Sequence, residues 1–143
     1  QYDFPHDRMV IEITEDSLAY DRGAAWRTIE LLQVYGFRIA LDDIGSGYSS
    51  LSDLAAYSLD YVKIDRSLLL NAAQPRGRKL LEGLVALGHS LGLRVLCEGV
   101  ETQEQLAAAL AAGCDFIQGF YFSRVLPERE AERYLREHIH IQQ

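Results

Sequence analysis

Charged side chains recur where short apolar runs of this sequence end. Glu12 lies in the run MVIEIT, the pair Asp42 and Asp43 follows FRIAL, and Glu98 follows LRVLC. Lys63 lies inside a further run, YVKI. Burying an unpaired charge among apolar residues costs several kcal/mol, so charges at such positions need partners. We therefore expect these five side chains to lie together in one site.

The charge of such a cluster indicates its chemistry. Two carboxylates about 4 Å apart repel each other by roughly 4 kcal/mol at an effective dielectric constant near 20. Lys63 supplies one positive charge, and oxygen ligands without histidine or cysteine favour Mg²⁺ or Mn²⁺ over zinc. The neighbours Asp42 and Asp43 suit two ions, because one carboxylate can bridge while the other binds the second ion. Two ions about 3.5 to 4 Å apart can activate a water for in-line phosphoryl displacement, so the cluster predicts a two-metal phosphodiester site.

A simpler interpretation treats each acid separately, as the partner of a nearby Arg or Lys or as the cap of a following helix. For any single acid, this interpretation is about as good as a functional one. Polar residues at the ends of five strands would require as many independent coincidences, and this favours a shared functional site.

Alternation of short β-branched or apolar runs with helical segments predicts an α/β fold with a parallel sheet. Parallel strands bring their carboxyl ends to one rim, where βα folds collect their chemistry. The five predicted strands are Met9–Thr14, Phe37–Leu41, Tyr61–Ile64, Leu93–Cys97 and Asp115–Gln118.

The predicted helices carry apolar residues at helical spacing on the side that covers the sheet. In the longest helix the predicted stripe is Leu80, Leu84, Leu87 and Leu91. Gly36, Gly92 and Gly113 each fall just past a predicted helix end, and Thr102 with Gln105 predicts a capping box. We expect no short internal repeat beyond the βα unit itself.

The composition is that of an ordinary globular domain, with 143 residues of which 48% are hydrophobic and 24% charged. There is no apolar run of about 18 residues and no signal-peptide pattern, so a cytoplasmic protein without a membrane segment is expected. The net charge of −7, without a basic cluster, argues against DNA or RNA binding. Cys97 and Cys114 form no metal-binding pattern and are expected to be reduced packing residues.

Five segments of the chain resemble the later motifs of the EAL domain. They are VIEITED at 10–16, ALDDIGSGYSSL at 40–51, YVKIDRSLL at 61–69, LCEGVET at 96–102 and GCDFIQGFYFSRVLP at 113–127. The resemblance spans essentially the whole chain, in order. It identifies residues 1–143 as the C-terminal part of a single EAL domain that lacks the EAL tripeptide strand and the asparagine strand after it. The implied fold is a partial TIM-like (β/α) barrel of about five parallel strands with covering helices.

The resemblance also implies an activity, the hydrolysis of the second messenger cyclic di-GMP to linear pGpG with two Mg²⁺ or Mn²⁺ ions. The implied ligands are Glu12 and Asp42 for one ion, Asp42 and Asp43 for the second, and Glu98 as a ligand of the second ion or as the catalytic base. Lys63 would orient the attacking water. The resemblance further implies that Gln118 and Asp65 bind substrate, and that Glu15 and Glu101 support the site.

The same resemblance implies how the chain associates. The loop and helix at 44–54 correspond to the segment through which EAL domains commonly dimerise. Five strands cannot close a barrel of about 250 residues, so open sheet edges are a second expected route to self-association. Because two metal ligands of the family are missing, the chain by itself is expected to be weakly active or inactive.

Two other functions remain open at this point. One is a sensor module that binds cyclic di-GMP without cleaving it and passes the signal to a partner. The other is an unrelated barrel enzyme that uses Mg²⁺ on a carboxylate substrate, as enolase-like families do. The segment DDIGSGYSSL has no reason to be present in the latter.

Overall fold

The computed structural model describes residues 5–44 and 51–138 of the chain. Within these residues, five parallel strands form one sheet in which each strand pairs with the next strand in sequence. A doubly wound sheet reverses its strand order at a switch point, whereas a barrel adds its strands in sequence order. The predicted α/β fold of five strands is confirmed, with β1 at Val10–Thr14, β2 at Arg38–Ile44, β3 at Tyr61–Ile64, β4 at Arg94–Cys97 and β5 at Phe116–Ile117.

Helices connect the strands and cover one face of the sheet. Three of them end in the same motif, in which a glycine with positive φ follows the helix. For α2 the backbone N–H of Gly36 donates to the Gln33 carbonyl and that of Phe37 to the Leu32 carbonyl. In the described part of the chain the helices are α1 at Glu15–Tyr20, α2 at Arg22–Val34, α3 at Leu51–Ala56, α4 at Arg66–Asn71, α5 at Pro75–Ser90, α6 at Gln103–Ala112 and α7 at Glu128–His138.

The core lies between the sheet and α2, α4, α5 and α6. Its fully buried strand residues include Ile39, Leu41, Val62, Ile64 and Val95. Each is spaced by two residues from its neighbour in the same strand where the strand is regular, as expected for one face of a sheet. The predicted capping box of Thr102 and Gln105 begins α6, as expected.

The predicted core stripe of α5 is confirmed at Leu84 and Leu87, which are partly buried against the core, and wrong at Leu80 and Leu91. Leu80 and Leu91 are 51% and 39% exposed, whereas Leu81 and Val85 are buried together with Gly88. The helix lies so close to the sheet at Gly88 that a Cβ there would come within 2.7 Å of the Val95 side chain. The spacing of large apolar residues does not predict this close approach, because the approach depends on glycine having no side chain.

A repeat of two consecutive βα units is present in the sheet, since β2 and β3 are repeated by β4 and β5. GFRIALD at 36–42 matches GLRVLCE at 92–98, and DYVK at 60–63 matches DFIQ at 115–118. The backbone N–H of Asp60 donates to the Ile39 carbonyl at 2.9 Å, and the Asp60 carboxylate accepts from the Ile39 N–H at 2.9 Å. Asp115 makes the same two bonds with Val95, at 2.9 and 2.7 Å. We refer to these four strands as the two-strand repeat.

Candidate functional site

Lys63 is the centre of the site. Its side chain is only 6% exposed, and its ammonium contacts three carboxylates among the described residues. The distances from Lys63 Nζ are 2.7 Å to Glu12 Oε2, 3.0 Å to Asp42 Oδ1 and 2.8 Å to Glu98 Oε1. Glu12 lies on β1, Asp42 on β2, and Glu98 directly after β4. The fold thus brings together four of the five charged side chains that the sequence predicts to lie in one site.

The three carboxylates determine the charge state of Lys63. Burial alone would lower the pKa of its ammonium, but the hydrogen bonds to Glu12, Glu98 and Asp42 outweigh burial and raise the pKa well above 10.5. Lys63 is therefore a permanent hydrogen-bond donor at neutral pH. One ammonium against three carboxylates leaves an excess of negative charge in the cluster.

A bulge in β2 explains how two consecutive acids reach the same rim. Leu41 pairs with Val62 and Ile44 with Ile64, so that Asp42 and Asp43 together stand opposite the single residue Lys63. Successive side chains of a regular strand alternate between faces, and an extra residue breaks the alternation. Because Leu41 and Ile44 are both buried against the helices, both aspartates lie away from that face.

Asp43 occupies the strained position of this bulge, with φ at 64°. Aspartate is among the few residue types that tolerate this left-handed conformation. Its N–H donates to Asp42 Oδ1 at 3.0 Å, which orients the Asp42 carboxylate relative to the Asp43 backbone. The adjacency of the two acids is visible in the sequence, but the bulge that makes it useful is not.

The donor set suits a hard cation. Glu12, Asp42, Asp43 and Glu98 offer carboxylate oxygens, and the charge excess favours a divalent ion. Among residues 5–44 and 51–138, no three acidic, histidine or cysteine side chains stand ready to hold a metal ion. The nearest oxygens are instead directed onto Lys63 Nζ. The residues therefore fit Mg²⁺ or Mn²⁺ by their chemistry, with Lys63 taking the central position.

The segment that carries Glu98 is held by both neighbouring strands. The N–H of Glu98 donates to the Ile64 carbonyl at 3.1 Å. Val100 is fully buried. Its N–H donates to the Gln118 carbonyl at 3.1 Å, and its carbonyl accepts from the Tyr121 N–H at 2.9 Å. Glu101 makes a two-point ion pair with Arg66. Arg66 is not among the site residues predicted from the sequence. The available signal was the position of Arg66, directly after the KID motif.

Three other predicted residues have separate positions. Asp65 caps α4, accepting from the N–H of Ser67 at 2.8 Å, and hydrogen bonds from the side chain and then the backbone of Ser67 lower the pKa of the Asp65 carboxyl. Substrate binding by Asp65 stays a prediction. Gln118 lies exposed directly after β5, at the same rim. The side chain of Glu15 and residues 45–50 of the predicted dimerisation segment lie outside the described residues.

A cavity of about 210 Å³ opens beside Lys63 on the face of the sheet opposite to the helices. Most of its surface is apolar, and the rings of Tyr61 and Phe116 lie 5.9 Å apart in its wall. Glu12 and Lys63 place charge at one end of it. The full lining is Val10, Glu12, Ala40, Tyr61, Lys63, Leu96 and Phe116.

Both cysteines are free, with Cys97 fully buried behind Glu98 and Cys114 half-buried. The hydrogen bond with the neighbouring Cys114 thiol, together with burial, raises the pKa of the Cys97 thiol, which keeps it protonated. This agrees with the packing role expected for Cys97. In the described part of the chain, no helix has the length and apolar character needed to cross a bilayer.

Comparison with known proteins gives a consistent result. The family model of the EAL domain matches residues 1–125. The cyclic di-GMP phosphodiesterase NbdA of Pseudomonas aeruginosa is 39% identical over 127 residues, which cover 88% of this chain and 16% of NbdA. The chain thus spans about a sixth of that relative.

Solved structures agree in fold as well. The EAL domain of Mycobacterium smegmatis DcpA superposes with a TM-score of 0.86 at 33% identity, covering 93% of this chain and 60% of DcpA's. Klebsiella pneumoniae BlrP1, in complex with manganese and cyclic di-GMP, superposes with a TM-score of 0.79 at 32% identity, covering 85% of this chain and 31% of BlrP1's. With the matched motifs and the sequential parallel strands, these similarities show that the chain belongs to the EAL domain family.

Proposed function

We propose that this chain is the C-terminal part of a single EAL domain, residues 1–143, that hydrolyses cyclic di-GMP to linear pGpG in second-messenger signalling. The observation that carries the proposal is the contact of buried Lys63 with carboxylates from three different strand ends. A structural ion pair needs one partner, whereas this ammonium has three. The names of relatives such as NbdA and the BlrP1 complex support cyclic di-GMP as the substrate. The place of action of such a messenger enzyme is the cytoplasm.

Two Mg²⁺ or Mn²⁺ ions are the proposed cofactors, and Glu12, Asp42, Asp43 and Glu98 would hold them. When bound, such ions lower the pKa of a water and stabilise charge on phosphoryl oxygens. Lys63 donates hydrogen bonds at the centre of the site and orients the attacking water. Its raised pKa suits a donor of this kind. Glu98 accepts a proton or completes the ligand set, and Gln118 and Asp65 contact the substrate.

A second candidate is a sensor that binds cyclic di-GMP without cleaving it. The observation that favours it is the engagement of three carboxylates by Lys63, which leaves no ready-made metal arrangement among residues 5–44 and 51–138. In a sensor, the apolar cavity beside Lys63 would bind a base of the ligand. The two candidates differ in whether product forms when Mn²⁺ is present.

Hydrolysis assays with Mn²⁺ test the enzyme directly, with pGpG separated by chromatography. We expect the 143-residue chain to hydrolyse cyclic di-GMP slowly, and the complete EAL domain that contains it to be active. Within the complete domain, Lys63→Ala and Glu98→Gln should each lower kcat by at least about 100-fold, the scale of an essential proton-transfer or charge-stabilising group. Arg136→Met, which breaks an ion pair on the distant helix α7, is the control.

Near-normal rates in both site variants would refute the assigned roles. Binding of cyclic di-GMP by the complete domain, without pGpG formation at any Mn²⁺ concentration, would establish the sensor instead.

Self-association through residues 44–54 or through the open edges of the sheet belongs to this proposal too.

A further inference from the structure

The strand end that carries Lys63 and the loop that carries Glu98 are joined by two ion pairs of equal spacing. Lys63 contacts Glu98, and three residues further along each segment Arg66 contacts Glu101. Between the two pairs, the N–H of Glu98 donates to the Ile64 carbonyl at 3.1 Å. Residues 63–66 and 98–101 therefore lie side by side and are fastened at both ends.

The Arg66 end is the more constrained of the two. Its guanidinium contacts Glu101 through both terminal nitrogens, Nη1 to Oε1 at 2.7 Å and Nη2 to Oε2 at 2.8 Å. Such a two-point pair fixes orientation as well as distance. Glu101 is held in turn at its backbone, because its N–H donates to the side-chain carbonyl of Gln105 at 2.7 Å.

The aliphatic part of Arg66 packs against Gly99, one of the two residues between Glu98 and Glu101. Gly99 has a φ of 68°, and a Cβ there would come within 2.7 to 3.0 Å of the Cβ, Cγ and Cδ atoms of Arg66. The arginine therefore lies across the backbone of Gly99 and leaves no room for a side chain there. Glu98 is the next residue, so its backbone has little freedom to move.

We propose that Arg66 is a positioning residue, which holds residues 98–101 so that the Glu98 carboxylate stays on Lys63 Nζ. The catalytic part of this inference rests on the proposed function, but the positional part does not. Groups that orient ligands from outside a metal site typically contribute about 10- to 100-fold in metal affinity or activity. We expect an effect at the lower end of this range, because both members of the pair are partly exposed to water.

Lysine side-chain NMR tests the positional part without any ligand. The sequence contains two lysines, Lys63 and Lys79, so ¹⁵N-labelled lysine gives two ammonium signals, and the Lys79 signal is an internal reference. Arg66→Met keeps the length of the side chain but removes the fork. We expect it to shift the Lys63 signal and to speed exchange of the Lys63 ammonium protons with water.

Three further variants define the cause of such a shift. Glu101→Gln should act like Arg66→Met, and Arg66→Lys, which keeps the charge without the fork, should have a smaller effect. The exchanged pair Arg66→Glu with Glu101→Arg should return the Lys63 signal towards its original position. Arg136→Met should leave the signal unchanged, because its ion pair with Glu132 lies on α7.

The functional part is read from Mn²⁺ affinity by calorimetry and from kcat and KM in the complete domain. Arg66→Met should weaken Mn²⁺ binding about 10-fold and lower kcat by a similar factor, with KM changed less than about twofold. An unchanged Lys63 signal in folded Arg66→Met or Glu101→Gln protein overturns the inference. If the Lys63 signal responds while the parental domain makes no pGpG, the positioning role stands and the proposed enzyme function fails.

Discussion

At the scale of single residues, Lys63 shows how a buried charge is tolerated. Three carboxylates offset the free-energy cost of removing the Lys63 ammonium from water, and the same ammonium relieves the repulsion among them. The dependence is mutual, since removal of one partner from a buried pair leaves an uncompensated charge. Because the pKa of Lys63 is raised on folding, its stabilising contribution is complete below pH 10.5 and is lost only as pH rises through the higher folded value. The contribution is thus constant around neutral pH.

Replacement of Lys63 by methionine tests this dependence. The change keeps the side chain's length but leaves three carboxylates facing one another, so we expect the free energy of unfolding to fall by about 2 kcal/mol. This is below the 3 to 5 kcal/mol typical of a fully buried broken pair, because water partly screens the acids. Urea denaturation measures it, and millimolar Mn²⁺ should restore part of the loss by supplying positive charge.

Lys79→Met is the matched control and should leave the urea midpoint unchanged, because Lys79 is exposed on α5. A parental midpoint in Lys63→Met protein would mean that the carboxylates relax away from one another at no cost.

At the scale of elements, the bulge of β2 determines where the second aspartate lies. Its effect depends on backbone conformation, since Asp43 has a φ of 64°. Asparagine adopts this conformation readily, whereas a β-branched residue does not. A comparison of two substitutions that both remove the carboxylate therefore isolates the backbone contribution from that of the charge.

We expect Asp43→Val to be less stable than Asp43→Asn by about 1 to 2 kcal/mol, the cost of the left-handed conformation for such a residue. Thermal and urea unfolding of the two proteins under identical conditions provide the measurement. Equal stabilities would show that β2 can lose its bulge without penalty.

Strand positions could be predicted from the sequence because apolar runs and helix-ending glycines mark them directly. All five predicted strands overlap an observed strand, and the capping box and the three glycine caps agree as well. The acids of the site followed from the strand ends. The bulge, the Gly88 contact and the Arg66–Glu101 pair did not, because each depends on how two separate segments approach one another. A local pattern contains no information about that distance.

At the scale of the whole molecule, one face of the sheet carries the helices and the other carries the site. On the second face Val10 is 44% and Phe116 is 40% exposed, and β1 and β5 are the outer strands of the described sheet. Apolar side chains beside unpaired strand edges favour association.

We expect the 143-residue chain to self-associate through this face. Light scattering should give a mass above 16.1 kDa, and Phe116→Glu should lower it towards that of one chain. Val34→Glu is the control, because Val34 is 82% exposed on α2, on the opposite side of the sheet. A parental mass of 16.1 kDa together with cooperative unfolding would contradict the prediction.

The two-strand repeat described above has a consequence for the ancestry of the site. Asp42 and Glu98 occupy the same place in the two copies, and so do Lys63 and Gln118. Duplication of a gene segment for one strand pair would deliver an acid and a hydrogen-bonding side chain with each copy, already directed to the same rim. Later divergence then needs only point changes, such as lysine in one copy and glutamine in the other. On this view the clustering of acids is inherited from a smaller ancestor.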